Sequence, residues 1–153
     1  MQGFKVDSAA FARYQKNFEV PQDWKGKQVI LRFDGVHSEY KVFVNHRQVG
    51  SHLGGMTPYE VNITDALQDG TNVLSLQVRS ESLADMLGSL TQYAAHQLGG
   101  ITRKVTLFAV PDIHLSDLRI QTDLDENYRD ARLKLYVAVR NDSDRPSRKV
   151  SLK

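Results

Sequence analysis

Apolar and polar residues alternate with period two along most of this chain, which predicts strands rather than helices. Tyr14 to Val20 reads as a strand closed by Pro21, because proline has no N–H for a sheet ladder. In Gln28 to Phe33, Val29, Leu31 and Phe33 share one face and Arg32 takes the other. Asp34-Gly35 makes the exit turn, and Asp23 to Lys27 another. Tyr40 to Val44 is a strand followed by a four-residue polar tip, Asn45-His46-Arg47-Gln48. The chain returns through Val49, Gly54-Gly55 and a Thr57-Pro58 turn into the strand Tyr59 to Ile63, which together is the pattern of a hairpin. Asp65-Ala66-Leu67 predicts one helical turn, capped by Thr64 and stopped at Asp69-Gly70. From Val73 to Arg79, Leu74, Leu76 and Val78 point inward.

One segment breaks the period. Leu83, Met86, Leu87, Leu90, Tyr93, Ala94 and Leu98 recur at helical spacing, Ser82 and Asp85 resemble a capping box, and Gly99-Gly100 fits a helix end. Ser82 to Leu98 is therefore expected to be at least partly helical. Strands resume at Lys104 to Val110, ended by Pro111, then Ile113 to Thr122 and Leu133 to Val139. Asp123 to Asp130 is a charged connection, Asn141 to Pro146 a turn, and Lys149 to Leu152 the start of a further strand. Many short strands with regular turn signals point to an all-β sandwich.

Composition narrows the functional classes. The chain has 153 residues, 41% hydrophobic and 25% charged, as in an ordinary folded domain with a sizeable core. Its net charge is +2, with 20 basic against 18 acidic residues, too even to indicate a nucleic-acid partner. There are no cysteines, hence no disulfides or thiolate metal sites. No apolar run reaches the roughly 20 residues of a membrane span, and Met1 to Ala10 lacks the features of a signal peptide. A cytoplasmic protein, or one whose leader has been removed to the periplasm, fits such a start. His37, His46, His52, His96 and His114 are scattered without ligand spacing, so no metal or other cofactor is expected. Neither diglycine carries the other positions of a phosphate loop.

Candidate chemistry is sparse. Asp34, Asp65, Asp69, Asp123, Asp125 and Glu126 fall in turns or on polar faces, and none forms a pair on a shared cleft, so no catalytic residues are expected. Asn45 is either a turn residue, whose side chain suits positive φ, or a polar group held on a rigid tip and aimed at a ligand. Trp24 is expected to be a lid on the sandwich edge rather than a sugar-stacking platform.

Several short motifs in one order resemble a known family. Tyr14-Gln15-Lys16-Asn17-Phe18-Glu19-Val20-Pro21, Phe33-Asp34-Gly35-Val36, Val44-Asn45-His46, Val49-Gly50, Gly54-Gly55-Met56-Thr57-Pro58-Tyr59 and Gly99-Gly100-Ile101-Thr102-Arg103-Lys104-Val105 look like the N-terminal sugar-binding domain of glycoside hydrolase family 2. That group includes β-galactosidases, β-glucuronidases and β-mannosidases. The resemblance implies a jelly-roll (galactose-binding-like) β-sandwich over residues 1–110. Residues 111–153 would be the first strands of an immunoglobulin-like β-sandwich, too short to close its own core. The chain would then be part of a longer glycosidase, whose missing (β/α)₈ barrel carries the two catalytic carboxylates. The orphan strands would pack on the first domain or pair with a second copy.

The resemblance also suggests site residues. In β-galactosidases of the family the Asn of the "V-N-G" turn bonds the sugar, and Asn45 matches it. The family's sugar- and sodium-contacting Asp falls at Ala94, so sodium binding and strict galactose specificity are not expected. His96 and Gln97 could supply replacement hydrogen bonds to a sugar hydroxyl; equally, His96 could sit at a helix C-terminus, where positive charge is favourable. The substrate would be an oligosaccharide or other glycoside. Two alternatives stand beside this reading: a free-standing carbohydrate-binding module, and a purely structural sandwich that never touches sugar.

Overall fold

The computed structural model describes residues 11–79 and 99–146. The predicted Ser82–Leu98 helix, the Lys149–Leu152 strand, and the candidates His96 and Gln97 lie outside them. The chain divides into two compact units: the chain up to Lys25 with Val29–Ala109, and Gly26–Gln28 with the chain from Val110 onward.

In the first unit the elements are β1 (Phe11–Glu19), β2 (Gln28–Phe33), β3 (Val36–His37), β4 (Glu39–Val44), β5 (Arg47–Leu53), β6 (Tyr59–Asn62), β7 (Thr71–Arg79), β8 (Gly100–Ile101) and β9 (Val105–Val110). Single 3₁₀ turns lie at Gln22–Trp24 and Thr64–Ala66. Four strands form one sheet in the order β1-β7-β4-β5, and three form another, β6-β2-β9. Two-residue β3 and β8 pair with each other, which the sequence pattern did not show because two residues carry no period.

The core joins the two larger sheets into a sandwich. Alternate residues of β7 (Leu74, Leu76, Val78) and of β4 (Tyr40, Val42, Val44) are buried with Val29, Leu31 and Phe33 of β2 and Val61 of β6 in one cluster. This is the alternation expected of strands with one face on a core. Ile30 is buried as well, on the opposite parity of β2. Phe33 and Tyr40 meet across the cluster with ring centroids 5.4 Å apart. Trp24 packs half-buried against the same cluster, in the lid position expected of it.

The second unit shows a long antiparallel hairpin, β10 (Ile113–Leu124) with β11 (Ala131–Asn141). Its register shifts between Leu115 and Asp117. That bulge has a consequence for patterning. Leu115 and Leu118 are three residues apart, so without the bulge's two-against-one pairing they would face opposite ways. With it, Leu115/Val139, Leu118/Val137, Ile120/Leu135 and Thr122/Leu133 pair along one apolar face. The other face carries His114/Arg140, Arg119/Tyr136, Gln121/Lys134 and Asp123/Arg132. Arg119 lies 4.4 Å from the centre of the Tyr136 ring, a cation–π contact. The aliphatic face is open, its residues ranging from 36% exposed at Val137 to 60% at Leu133.

Candidate functional site

The sequence placed a four-residue tip after Val44. The structure corrects it to two residues. Val44 pairs with Arg47, so Arg47 and Gln48 belong to β5 and only Asn45 and His46 turn. Both have positive φ, 48° and 68°, the left-handed pair a type I′ hairpin needs. Asparagine tolerates that conformation because its short side chain can bond nearby backbone.

Here the side chain does so thoroughly. Asn45 Oδ1 accepts the Val73 N–H at 2.9 Å, while the Asn45 N–H donates to Val73 O at 3.0 Å. Asn45 Nδ2 donates to Ala66 O at 2.9 Å and to Asn72 Oδ1 at 2.7 Å. Asn72 is fully buried and equally committed. Its Nδ2 donates to Gln68 O and Gly70 O, both at 3.0 Å, and its Oδ1 also accepts the Gln68 N–H at 2.9 Å. Backbone N–H groups can only donate and carbonyls only accept, so these partners fix which way round each amide lies. Two asparagines thus lock the hairpin tip to the Thr64–Ala66 turn and the loop into β7. Asn72 was not singled out in the sequence. The only signal for it was an Asn between Gly70 and the apolar run of β7.

The polar groups left at the tip are His46 and Arg47, both exposed. Arg47 Nη1 donates to Asp65 O at 2.9 Å. Arg47, Gln48, Val49, Asn62, Asp65 and Ala66 line a shallow hollow of about 120 Å³ beside the tip. The cap expected from Thr64 is not made. Asn62 Oδ1 accepts the Thr64 N–H at 3.0 Å instead, and Thr64 Oγ1 accepts the Val29 N–H at 2.8 Å, spending its oxygen on the neighbouring strand.

The remaining motif residues of the hairpin serve packing. A Cβ on Gly50 would fall 2.3 Å from the Tyr59 hydroxyl oxygen, so only glycine lets that ring lie across β5. A Cβ on Gly55 would fall 1.8 Å from His37 Nδ1. His52 stacks on Tyr59, centroids 4.9 Å apart, and its Nε2 lies 3.1 Å from Thr57 Oγ1. Tyr59 in turn meets Tyr40 edge-on at 6.1 Å. Burial, and secondarily the charge of Tyr59, holds the Tyr40 hydroxyl above the ordinary phenol range.

Several acidic residues of the described segments are paired with cations. Asp34 and Glu60 both hold Arg32, at 2.7 and 2.9 Å, and they raise its pKa. Lys134, and then Gln121, hold Asp123 below the usual carboxylate range. Among the described residues no group of three or more His, Asp or Glu could hold a metal ion. A larger hollow of about 380 Å³ opens between the sheets at Phe18, Leu31, Leu76 and Leu107, and its lining is mainly aliphatic and aromatic.

Comparison with known proteins places these features. Residues 3–111 match the family described as "Glycosyl hydrolases family 2, sugar binding domain". A β-galactosidase of Clostridium acetobutylicum is 34% identical over 131 residues, which is 86% of this chain and 14% of that protein. A β-galactosidase of Thermoanaerobacter pseudethanolicus is 38% identical over 125 residues, 78% of this chain and 17% of that protein. Among solved structures, a Bacteroides uniformis β-glucuronidase superposes with a TM-score of 0.73 at 32% identity, covering 86% of this chain and 16% of that one. The chain therefore spans under a fifth of the length of these three relatives.

Proposed function

The chain belongs to glycosyl hydrolase family 2, as its sugar binding domain, and from that premise we propose that it is a non-catalytic, sugar-positioning part of a longer glycosidase. That protein would hydrolyse O-glycosidic bonds of a β-galactoside-like substrate with carboxylates held on another domain. The observation that carries the reading is the family match over residues 3–111, with the Val44-Asn45-His46 turn built as a rigid two-residue tip. On this proposal residues 1–110 are the sugar-binding domain and residues 111–153 the opening strands of an immunoglobulin-like one. The open aliphatic face of β10 and β11 supports the second part, since a lone two-stranded sheet needs an apolar partner. A second copy of the chain is the other occupant that face could take.

The proposed substrate contacts are Asn45, His96 and Gln97. Asn45 would act through the acceptor lone pair that Oδ1 has left after Val73, since both its amide hydrogens are in use. The same hydrogen bonds favour a second reading, in which Asn45 is structural and only shapes the tip. Hydrolysis of chromogenic galactosides, glucuronides and mannosides by the longer protein, with none by this chain alone, is the expected result. A longer protein inactive on all three would count against a glycosidase.

A further inference from the structure

The outward face of the four-stranded sheet carries an arrangement that the hairpin tip does not explain. Because Leu74, Leu76 and Val78 point into the core, Ser75 and Gln77 point out. Strand pairing sets Gln15, Ser75 and Phe43 side by side across β1, β7 and β4, with Arg13, Gln77 and Lys41 in the next row outward-facing. Directly opposed residues share a face, and adjacent strands lie about 4.8 Å apart, so each row spans roughly 10 Å. Arg13, Gln15, Phe43, His46, Ser75 and Gln77 line a hollow of about 170 Å³ there. Phe43, Ser75 and Gln77 are half-buried in its lining, and Arg13, Gln15 and His46 are exposed.

None of Arg13, Gln15, His46, Ser75 and Gln77 has its side chain hydrogen-bonded or ion-paired to another described residue. Some other polar side chains of this unit are paired: Arg32 with Asp34 and Glu60, Thr71 with Glu19, and Arg47 with the Asp65 carbonyl. Two amides, a hydroxyl, an imidazole and a guanidinium thus line one hollow with an aromatic ring, without partners among the described residues. Amides offer a donor and an acceptor side by side, which suits neighbouring hydroxyls that must do both. An aromatic ring in the lining suits a ligand whose ring face is apolar while its edge is polar. A pyranose ring has both properties. The hollow is below the roughly 300–1,000 Å³ of drug-sized ligand sites, so it suits one ring rather than a long chain.

We propose that this outer face, where Arg13, Gln15, Phe43, His46, Ser75 and Gln77 line the hollow, is a saccharide-binding site for a single hexose or hexuronic acid unit. Arg13, and Lys41 across Gln77 from it, add positive charge on which a uronate carboxylate would rest. The site is separate from the proposed Asn45 contact, because the Asn45 side chain points into the Ala66–Asn72 network.

Saturation-transfer NMR on this chain tests it, with methyl β-galactoside, methyl β-glucoside and methyl β-glucuronide as probes. Transfer to ring C–H protons with a Kd of about 1 mM is expected for at least one sugar. Arg13→Ala and Gln77→Ala should each weaken binding about tenfold or more with the unfolding midpoint unchanged, and Phe43→Leu should remove the transfer. A preference for the glucuronide that disappears in Arg13→Ala assigns its carboxylate to that guanidinium, and equal binding of all three assigns recognition to the hydroxyls; either supports the site. No transfer to any of the three at tens of millimolar, about tenfold or more above that Kd, or transfer that Arg13→Ala and Gln77→Ala both leave unchanged, overturns it. Neither surface substitution touches Asn45 or its partners, so failure here leaves the proposed Asn45 contact to stand or fall separately.

Discussion

Asn45 Nδ2 donates a 2.7 Å hydrogen bond to Asn72 Oδ1, and through that bond the tip of one hairpin is fixed to the loop that starts β7. Twenty-seven residues separate the two in sequence. The bond explains why so short a turn can hold two non-glycine residues at positive φ. The cost of the left-handed backbone, about 1–2 kcal/mol per residue, is offset by local hydrogen bonds.

Asn72→Ala should be among the most damaging single changes in the first unit. It removes two donated and two accepted hydrogen bonds at a fully buried position and strands the Gln68 N–H and an Asn45 amide hydrogen. Each buried group left without a partner costs about 1–3 kcal/mol, so a total loss of roughly 2–6 kcal/mol is expected in urea unfolding. A loss below about 0.5 kcal/mol, the level of an ordinary surface change, would show that water replaces the clamp.

Gly50→Ala should destabilise by about 1–3 kcal/mol, because the new methyl meets the Tyr59 hydroxyl at 2.3 Å. Tyr59→Phe deletes that oxygen. The double variant should therefore recover part of the loss, and a double-mutant cycle reads the coupling. Strict additivity would mean that the clash is with Val61, whose Cγ2 lies 3.2 Å from the same point.

Deleting Ser116 removes the extra residue of the bulge between Leu115 and Asp117. Leu115 and Leu118 would then be two residues apart, so plain alternation keeps both, with Ile120, on the aliphatic face and leaves their pairing with Val139, Val137 and Leu135 unchanged. Hydrogen-exchange protection should therefore be kept along β10 and β11. Protection lost on Ile113–Leu115 and Leu118–Leu124 alike would contradict the reading of Ser116 as the extra residue.

Alkaline pH should unfold the first unit partly through Tyr40. The folded phenol is held above its ordinary value by burial first and by Tyr59 second. The unfolded chain releases this proton from about pH 10 upward, while the folded chain keeps it. A folded state that binds more protons loses stability as pH rises, so the contribution is intact below pH 10 and fades above it. Tyr40→Phe should flatten the fall in unfolding free energy between about pH 10 and 12, relative to the wild-type chain. An unchanged slope would assign the alkaline transition to other groups.

Much of this architecture is legible in the sequence. Leu74, Leu76 and Val78, and Val29, Leu31 and Phe33, alternate as core strands must, and they are the core. The failures have specific causes. His46 at positive φ looks nothing like the glycine that usually follows Asn in such a turn, so the residue pattern alone makes the tip two residues too long. Thr64 looks like a cap by local rules, yet its oxygen goes to Val29, a partner 35 residues away. The bulge is written as a three-residue interval between Leu115 and Leu118, but only pairing with Val139 and Val137 shows which face each takes. The polar cluster around Phe43 draws on β1, β4 and β7, and no local pattern brings Arg13, Phe43 and Gln77 together.

The most direct test of the central claim is the kcat/KM of the longer glycosidase carrying Asn45→Gly, read beside its unfolding midpoint. Glycine keeps the positive-φ turn and removes only the side chain. If Asn45 positions sugar, kcat/KM on the preferred glycoside should fall about tenfold or more, a loss of roughly 1.4 kcal/mol of transition-state binding. A lowered midpoint with kcat/KM within about twofold of wild type, under roughly 0.5 kcal/mol, would contradict that role and leave Asn45 as the clamp of the hairpin alone.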